Sequence, residues 1–486
     1  MGDASLWALV DERSAPDPPR VHRRSWRWAI GAVPVLALLA LLGIGVMIPA
    51  TLDDGARLAL FGFGLAVVLW SLTTLNTAYV ALAAVLLLIL GGALEQDELF
   101  EALESDVIWL MIGAFILGAA VQETGLAARL TGLVARRARS VGGMMWLVTL
   151  VLLPSAFLIP STSGRAAVAL PVFRSLADAA GDRHVTRALA LLIPTVILTS
   201  TIASLTGAGS HLIANDLLDE MADVELSFTD WLLYGAPFGI VASLLSGWII
   251  GRLFLDRKQR ARPLEIKAKA ATPFSRAERV TLGVILASVA LWSTEPLHGL
   301  EIATVSVLAA LVLTVPGFGV ITWKDGLKAV SWNLVLFVGA ALVLGEALIE
   351  TGAAEWLIAG AFRASGLSDG GSAAFLILAV AIVTLTSHLY MTSHVARAAA
   401  LVPPLLYLGG ALGLEPAAVM FIGTVGMDYC LTFPVSSKAL LMFQEADRET
   451  WVPADLLRLS AALLPVHAAL MVIFYFAWWR PLGLAL

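Results

Sequence analysis

Residues 161–171 read STSGRAAVALP, and residues 393–403 read SHVARAAALVP. A serine, an arginine, two alanines and a proline coincide when these polar stretches are aligned, and both lie inside otherwise apolar sequence. Two further matched pairs keep the same order along the chain: LGAAVQETG with LGEALIETG upstream, and AGSH with VSSK downstream. The three matches predict an internal duplication. In membrane transporters, such a duplication commonly places the substrate site where the two copies meet.

The composition excludes a single soluble core. Hydrophobic residues make up 59% of the 486 residues and charged residues 14%, and the mean hydropathy is +0.86. These values predict an all-α polytopic membrane protein. The single cysteine, Cys430, excludes an intrachain disulfide and a cysteine-based zinc site. We predict no cofactor and no nucleic-acid partner.

Eleven apolar runs are predicted to cross the membrane as transmembrane helices. They are residues 28–50, 58–74, 77–92, 106–122, 185–220 with a break after 204, 231–253, 278–293, 299–315, 331–349, 415–443 with a break after 430, and 455–479. The shorter runs that flank the two repeated polar stretches are too closely spaced to cross separately. We therefore expect re-entrant hairpins at 143–180 and 372–410.

The predicted spans divide the chain into a tail, an extra helix, two repeats and a linker. These are a cytoplasmic tail (1–27), an extra first helix (28–54), repeat 1 (55–255), a cytoplasmic linker (256–277) and repeat 2 (278–480). Each repeat holds five crossings and one hairpin. Because five is odd, the second repeat enters the membrane from the opposite side, so the repeat is inverted. The two hairpin tips should then converge near the midplane.

The positions of lysine and arginine support this topology, with the N-terminus in the cytoplasm and the C-terminus outside. All but six of the 31 Lys and Arg residues fall on the cytoplasmic side, as the positive-inside rule requires. Three fall outside and three within the membrane: Arg57, Arg363 and Arg480, and Arg165, Arg397 and Lys438. We expect a multi-pass protein of the cell inner (plasma) membrane.

The two intramembrane arginines predict a site for an anion. A charge at membrane depth costs at least about 3 kcal/mol on insertion scales, so such residues are usually functional. Arg165 and Arg397 lie at the hairpin tips, just before Ala-rich helices, and guanidinium groups and helix N-termini both favour oxyanions. The alternative is that each arginine pairs with a buried acid, Glu123, Glu350 or Asp428, and only holds the bundle together.

The third matched pair interrupts two spans with glycine, proline and hydroxyl residues, in LTGAGSH and LTFPVSSK. Such breaks are tolerated at membrane depth only where protein or a water-filled cavity satisfies the backbone. Ser210 and Ser437 are candidate hydrogen-bond donors, and His211 and Lys438 end the two breaks. A histidine satisfied in the core is the alternative for His211.

The chain resembles the divalent anion:sodium symporter (DASS) family over about 55–480. The resemblance rests on the inverted repeat with a hairpin in each half, the Ser-x-x-(Gly/Ala) tip followed by a small-residue helix and a proline, and the broken helix after each hairpin. Arginine at the fifth tip position resembles the branch that includes bacterial citrate/succinate exchangers and plastid dicarboxylate translocators. The resemblance implies an elevator-type, homodimeric carrier of small anions, namely di- or tricarboxylates or sulfate, in the lipid bilayer.

The family's tips usually read Ser-Asn-Thr and supply carboxylate- and sodium-contacting groups. By resemblance these groups fall on Ser161-Thr162-Ser163 and Ser393-His394-Val395, so both asparagines are missing. The family's Thr-Pro-Pro-Asn breaks lack their asparagines here too. Together, the residues and the resemblance predict the following substrate-binding set: Ser161, Thr162, Ser163, Arg165, Ser210, His211, Ser393, His394, Arg397, Ser437 and Lys438.

These departures favour sodium-independent transport, by anion exchange or with a co-transported proton. A fixed ammonium at Lys438 would replace one cation, whereas His211 would do so only when protonated. The coupling candidates are therefore His211, Asp428 and Lys438, and we expect Asp428 to pair with Lys438 when no substrate is bound. A sodium-coupled symporter with a cation site rebuilt from serine and backbone oxygens stays open.

The resemblance also implies a division of labour between two structural units. Residues 143–254 and 372–480 would form a moving transport unit, and the remaining spans a dimer scaffold. The amphipathic segments 126–139 and 353–366 are predicted to lie along the membrane interface and to join the two units.

Other classes of protein fit the residues less well. An intramembrane hydrolase would use Ser210 with His211 or Ser393 with His394, but adjacent residues rarely present a nucleophile to its base. A channel needs no inverted copies with opposed hairpins, and an arsenite or other oxyanion carrier is not excluded. A zinc site at His388 and His394 is not expected, because a spacing of six residues fits no helical face.

Overall fold

The computed structural model describes residues 27–486 apart from 127–128, 130–133, 135–136, 160, 265–272, 355, 357–372 and 447–449. The described residues form helices joined by short loops, and they contain no strand beyond one isolated β-bridge between Ser140 and Pro263. The predicted all-α fold is confirmed. Most of the predicted tail (1–27) and most of the segments 126–139 and 353–366 lie outside the described residues.

The first half of the chain runs from the extra helix to the linker. Its helices are α1 (Arg27–Met47), α2 (Asp54–Leu72), α3 (Thr77–Leu90), α4 (Glu98–Glu101), α5 (Asp106–Glu123), α6 (Val141–Leu152), α7 (Ser155–Leu158), α8 (Thr162–Ala180), α9 (Arg183–Thr199), α10 (Gly209–Ala222), α11 (Phe228–Phe254) and α12 (Arg257–Ala261).

The second half repeats this order of long helices. Its helices are α13 (Arg276–Ser293), α14 (Glu295–His298), α15 (Ile302–Thr314), α16 (Trp323–Ala329), α17 (Trp332–Glu350), α18 (Ala373–Thr386), α19 (His394–Ala411), α20 (Pro416–Met427), α21 (Lys438–Gln444) and α22 (Pro453–Phe474). Short 3₁₀ turns lie at the two breaks, Thr201–Ala203 and Leu205–Gly207 in the first and Pro434–Ser436 in the second.

Every predicted crossing overlaps one of these helices. Among the described residues, six helical stretches are long and apolar enough to cross a membrane by length and composition: Asp54–Leu72, Glu98–Glu123, Arg183–Ala203, Phe228–Phe254, Trp332–Glu350 and Pro453–Leu482. The stretch around α9 is almost completely enclosed by protein, with 94% of its most apolar window buried, whereas the α2 stretch is 33% buried. The protein is a multi-pass membrane protein in which α9 is a central helix and α2 a peripheral one.

Helices joined by a turn lie at both predicted hairpins, and both predicted breaks interrupt helices; that the hairpins are re-entrant stays a prediction. The arms of the first hairpin, α6 and α8, pack on α9, and the arms of the second hairpin, α18 and α19, pack on α20. The first broken helix stops at Thr199 and resumes at Gly209, and the second stops at Met427 and resumes at Lys438. In each half, the two arms of the hairpin therefore pack against the broken helix that follows them in the chain.

The helices pack into two groups. In one group α15 packs along α5, α17 packs along α3, and α2 and α13 pack on this set. In the other, the hairpins, the broken helices, α11 and α22 pack together. Among the contacts between the groups, the most extensive are those of α10, which packs on α17 and α5. This grouping corresponds to the predicted scaffold and transport unit, and the motion of one group past the other stays a prediction.

Candidate functional site

The serine that opens each repeated stretch caps a helix. The Ser161 hydroxyl accepts a hydrogen bond from the Gly164 amide at 3.1 Å, and the Ser393 hydroxyl accepts one from the Ala396 amide at 3.3 Å. A capping serine satisfies an amide that has no partner within the helix. The caps start α8 and α19 at equivalent positions, so the arginine four residues later lies one turn into each helix.

Arg165 is bound by the first break. Its side chain is buried, Nη2 donates to Thr201 Oγ1 at 2.8 Å and to the Gly207 carbonyl at 3.1 Å, and Nη1 donates to Ser200 Oγ at 3.4 Å. Only Nε lacks a hydrogen-bond partner. The guanidinium group therefore holds the hairpin tip against the broken helix of its own half.

Arg397 occupies the equivalent position but is far less satisfied. Its side chain is fully buried, Nη1 donates to the Tyr429 carbonyl at 3.3 Å, and the guanidinium group also interacts with the Cys430 thiol. Nε and Nη2 have no hydrogen-bond partner among the described residues. A buried unsatisfied polar group costs about 1–3 kcal/mol, and more when it is charged. These two N–H donors are available to an incoming acceptor.

Neither arginine forms an ion pair with Glu123, Glu350 or Asp428 among the described contacts, so the acid-pairing alternative is not observed. Asp428 nevertheless acts on both guanidinium groups electrostatically. Their partners are hydroxyl and carbonyl oxygens instead, which leaves the positive charge of both arginines without direct neutralisation.

The prediction that Asp428 pairs with Lys438 is wrong. Asp428 Oδ2 lies 2.8 Å from His211 Nε2, and both side chains are buried. Lys438 is the first residue of α21, its side chain is exposed, and it has no ion-pair partner among the described residues. The pairing differs because α10, which carries His211, packs against α20, which ends just before Asp428.

The second hairpin tip contacts the second break through His394 and His388. His394 Nε2 lies 3.2 Å from Cys430 Sγ, and His388 Nε2 lies 2.6 Å from Thr432 Oγ1. No local pattern predicts that Cys430 lies beside His394, because 36 positions separate them. Among the described residues, no group of three His, Cys, Asp or Glu side chains is placed to hold a metal ion.

The serines do not contact the histidines beside them. The Ser210 hydroxyl is buried without a hydrogen-bond partner, while both ring nitrogens of His211 are engaged elsewhere, Nδ1 with the Ser204 carbonyl at 3.0 Å. Ser393 is used as a helix cap. The contact between nucleophile and base that a hydrolase needs does not form at either place.

The predicted residues of both halves meet because each broken helix crosses to the opposite hairpin. α10 packs along α19, and α21 packs along α8. Arg165, His211, His388 and Arg397 all lie near enough to His394 to interact with it electrostatically. Ser437 caps α21 by accepting from the Ala439 amide at 3.2 Å. Thr162 and Ser163 lie half-buried in the first turn of α8.

Other protein groups supplement the predicted set. Ser200, Thr201 and the carbonyls of Gly207 and Tyr429 hold the arginines. The hydroxyl-rich run TSTIAS after α9 is a sequence signal for the first of these groups, but a carbonyl carries no signal at all. A separate cavity of about 1070 Å³ lies between α5, α15 and α16 and contains none of the predicted site residues.

Comparison with known proteins identifies relatives along nearly the whole chain. The family described as "Sodium:sulfate symporter transmembrane region" matches residues 30–485. A protein from Cupriavidus necator, described as a membrane protein, is 25% identical and covers 94% of this chain and 93% of its own. The citrate/succinate antiporter of Escherichia coli K12 is 23% identical and covers 68% of this chain and 70% of its own.

A solved structure shares the fold. The YdaH transporter of Alcanivorax borkumensis superimposes with a TM-score of 0.54 at 16% sequence identity, covering 79% of this chain and 87% of that one. At this identity the likeness concerns the arrangement of the helices alone.

Proposed function

Because this chain belongs to the sodium:sulfate symporter transmembrane family, whose members are transporters rather than enzymes, we propose that it is a secondary active carrier of small di- or tricarboxylates. We further propose that transport is independent of sodium. The observation that carries the proposal is the buried guanidinium group of Arg397, whose Nε and Nη2 have no hydrogen-bond partner in the part of the chain that the structure describes.

A carboxylate suits this group because its two oxygens match the planar fork of an arginine. The helix α19 begins at the Ser393 cap, one turn before Arg397, and helix N-termini attract anions. Arg165 adds a second positive charge from the other half of the chain. Two cations presented from two directions favour an anion with at least two negative groups, such as the citrate or succinate named for the Escherichia coli relative.

The loss of sodium coupling is proposed from side-chain chemistry. Sodium needs a tight cage of oxygen ligands, and the positions that resemble the family's asparagines hold Thr162 and His394 at the tips. His394 contacts the Cys430 thiol. Lys438 supplies a cationic group at the second break, and His211 supplies one at the first break when it is protonated. The ammonium group of Lys438, and the imidazole of His211 when it is protonated, would substitute for bound sodium ions.

The same proposal places the protein in the inner membrane, with its N-terminus in the cytoplasm and its C-terminus outside. The charge asymmetry of the sequence supports this orientation. We propose a homodimer in which the group containing α2, α3, α5, α13, α15 and α17 forms the scaffold and the hairpin group moves as an elevator.

Counterflow tests substrate and coupling together. Proteoliposomes loaded with succinate, citrate, tartrate, sulfate or arsenite, in medium with choline in place of sodium, should take up labelled succinate only when loaded with a carboxylate. The reason is that the site presents arginine forks and no sodium cage. Protein-free liposomes and an added sodium gradient are the controls.

Two outcomes would contradict the proposal. Preferential exchange of sulfate or arsenite would replace the carboxylate by an inorganic oxyanion. A strict requirement for a sodium gradient would mean that serine and backbone oxygens around Ser161, Ser163, Gly209, Ser393 and Ser436 form a rebuilt cation site.

The elevator motion can be tested where the two helix groups meet. A Cβ at Gly345 on α17 would lie 2.9 Å from Leu217 Cδ2 on α10. In a Cys430→Ser background, Leu217→Cys with Gly345→Cys should therefore form a disulfide that stops transport until a reductant is added. The matched control is Gly62→Cys with Leu88→Cys inside the scaffold, where the equivalent distance is 2.7 Å and oxidation should leave transport intact. Full transport by the oxidised Leu217→Cys/Gly345→Cys protein would show that α10 does not move past α17.

A further inference from the structure

The buried pair of His211 and Asp428 joins the two halves of the chain, and its hydrogen bonds fix its proton content. His211 Nδ1 lies 3.0 Å from the Ser204 carbonyl oxygen. A carbonyl only accepts, so Nδ1 carries a hydrogen. Nε2 lies 2.8 Å from Asp428 Oδ2, and a hydrogen bond at this second contact needs one more proton.

Two arrangements supply that proton. Either an imidazolium donates to a carboxylate, or a carboxylic acid donates to a neutral imidazole, and in both the pair is neutral overall. Without the proton, two acceptors would face each other at 2.8 Å with a net charge of −1. Burying an unpaired charge is costly, so the contact that the structure shows is the proton-loaded form of the pair.

A small enclosed cavity lies on the other side of Asp428. It has a volume of about 10 Å³ and is lined by Asp428, His467, Thr199 and Tyr429 among others. That volume is at the lower limit for a single water molecule. Asp428 Oδ1 and His467 Nε2 are both buried without a hydrogen-bond partner, and the His467 ring is hydrogen-bonded to the backbone of Val425.

These two unpartnered atoms can accept hydrogen bonds from the same donor molecule. His467 with its hydrogen on Nδ1 toward Val425 presents Nε2 as an acceptor, and Asp428 Oδ1 is also an acceptor. One water molecule with two O–H donors would satisfy both atoms at once. The cavity therefore links the carboxylate of Asp428 to a third titratable group on α22.

We propose that His211, Asp428 and His467 form a proton-binding relay in which the His211–Asp428 pair carries one proton together with the anion. The inference rests on the proposed function and names the coupling ion and its site. His467 takes a proton at Nε2 and gives it to the water. The water passes its other proton to Asp428 Oδ1 and is regenerated, and His467 returns to its neutral form. The carboxyl group of Asp428 then turns so that its new O–H faces His211 Nε2, which completes the proton-loaded pair.

The charges around the His211–Asp428 pair link the binding of the proton to the binding of the anion. The titratable groups that face it are Arg165 on α8, His394 and Arg397 on α19, Cys430 in the second break and His467 on α22. The acids of α5 and α17 act instead on Asp216 and Glu220 further along α10. The two arginines repel an added proton, and a bound dianion offsets them. Anion binding therefore favours the loaded pair.

Calorimetry on the wild-type protein tests this linkage without any mutation. Succinate binding measured in buffers of different ionisation enthalpy should show that the protein takes up one proton. This uptake is expected at pH values at which the pair without its proton predominates before succinate is added. Over that pH range the affinity for succinate should fall by up to about tenfold per unit rise in pH. Uptake of no proton across the whole pH series would overturn the proposal.

Asp428→Asn isolates the proton site. The asparagine amide can donate to His211 Nε2 and so imitates the loaded pair without a removable proton. We expect the pH dependence of succinate binding to become flat, and a dye inside the proteoliposomes to report no proton movement during net succinate uptake. His467→Gln should slow proton movement while leaving the pH dependence of binding, and the exposed His184→Gln serves as the matched control.

The outcomes separate the two proposals. Absence of counterflow in the wild-type protein would reject the carrier function itself. Counterflow by the wild-type protein with pH-independent binding would reject the relay alone. Asp428→Asn protein that keeps the wild-type pH dependence would also reject it, because the proton would then bind elsewhere.

Discussion

Arg397→Lys is expected to remove high-affinity anion binding, although the positive charge is kept. The guanidinium group has two buried N–H donors without a protein partner, and a planar carboxylate can accept from both. The lysine side chain is shorter, and its ammonium group lacks the planar, forked arrangement of N–H donors that arginine has. Losing one partner of a buried, hydrogen-bonded charge pair costs about 2–5 kcal/mol, which corresponds to roughly 30- to 4,000-fold in affinity. Succinate binding by calorimetry and the KM of counterflow measure the loss.

Arg165→Lys is the matched comparison because the two arginines occupy equivalent positions. Arg165 donates to Thr201, Ser200 and the Gly207 carbonyl, so its replacement should first lower the thermal stability of the protein. An Arg397→Lys protein with unchanged succinate affinity would show that Arg397 is structural. Equal losses of affinity in both variants, without loss of stability, would instead show that both arginines bind the anion directly.

Much of the fold follows from local sequence signals. The repeated tip motif places a capping serine four residues before an arginine in both halves, and a cap depends only on residues within one helical turn. The breaks are marked by glycine, proline and hydroxyl residues that cannot continue a helix in the membrane without other partners. Such features recur at matching positions, so the duplication itself indicates that they belong together.

The pairings inside the site could not be predicted in the same way. Asp428 and His211 are 217 positions apart, and nothing in either segment specifies that α10 packs against α20. The expectation that Lys438 pairs with Asp428 relied on closeness in sequence, but a helix begins at Lys438 and its side chain is exposed. Likewise, His467 enters the site only because α22 packs beside α20. Contacts of this kind depend on the tertiary arrangement, which single-sequence patterns do not encode.

The first break also has a steric requirement at one residue. Gly207 ends the second 3₁₀ turn, its amide donates to the Ser204 carbonyl at 2.9 Å, and its carbonyl accepts from Arg165. A Cβ at this position would lie 2.2 Å from the Thr201 carbonyl oxygen. Since that oxygen belongs to the backbone, no side-chain rotation can relieve the overlap.

Gly207→Ala is therefore expected to abolish transport and to lower the thermal stability of the detergent-solubilised protein. Overpacking in a closed interior costs about 1–3 kcal/mol, and the backbone shift needed here would also move Thr201 and Gly207 away from Arg165, where a hydrogen bond to a charged group contributes about 1.5–3 kcal/mol. Counterflow and a melting curve measure the two effects. The matched control is Gly251→Ala on α11, where an added Cβ meets nothing within 4 Å and both readouts should stay at the wild-type level. Wild-type transport by the Gly207→Ala protein would mean that the break tolerates a different backbone path and that the docking of Arg165 is not required.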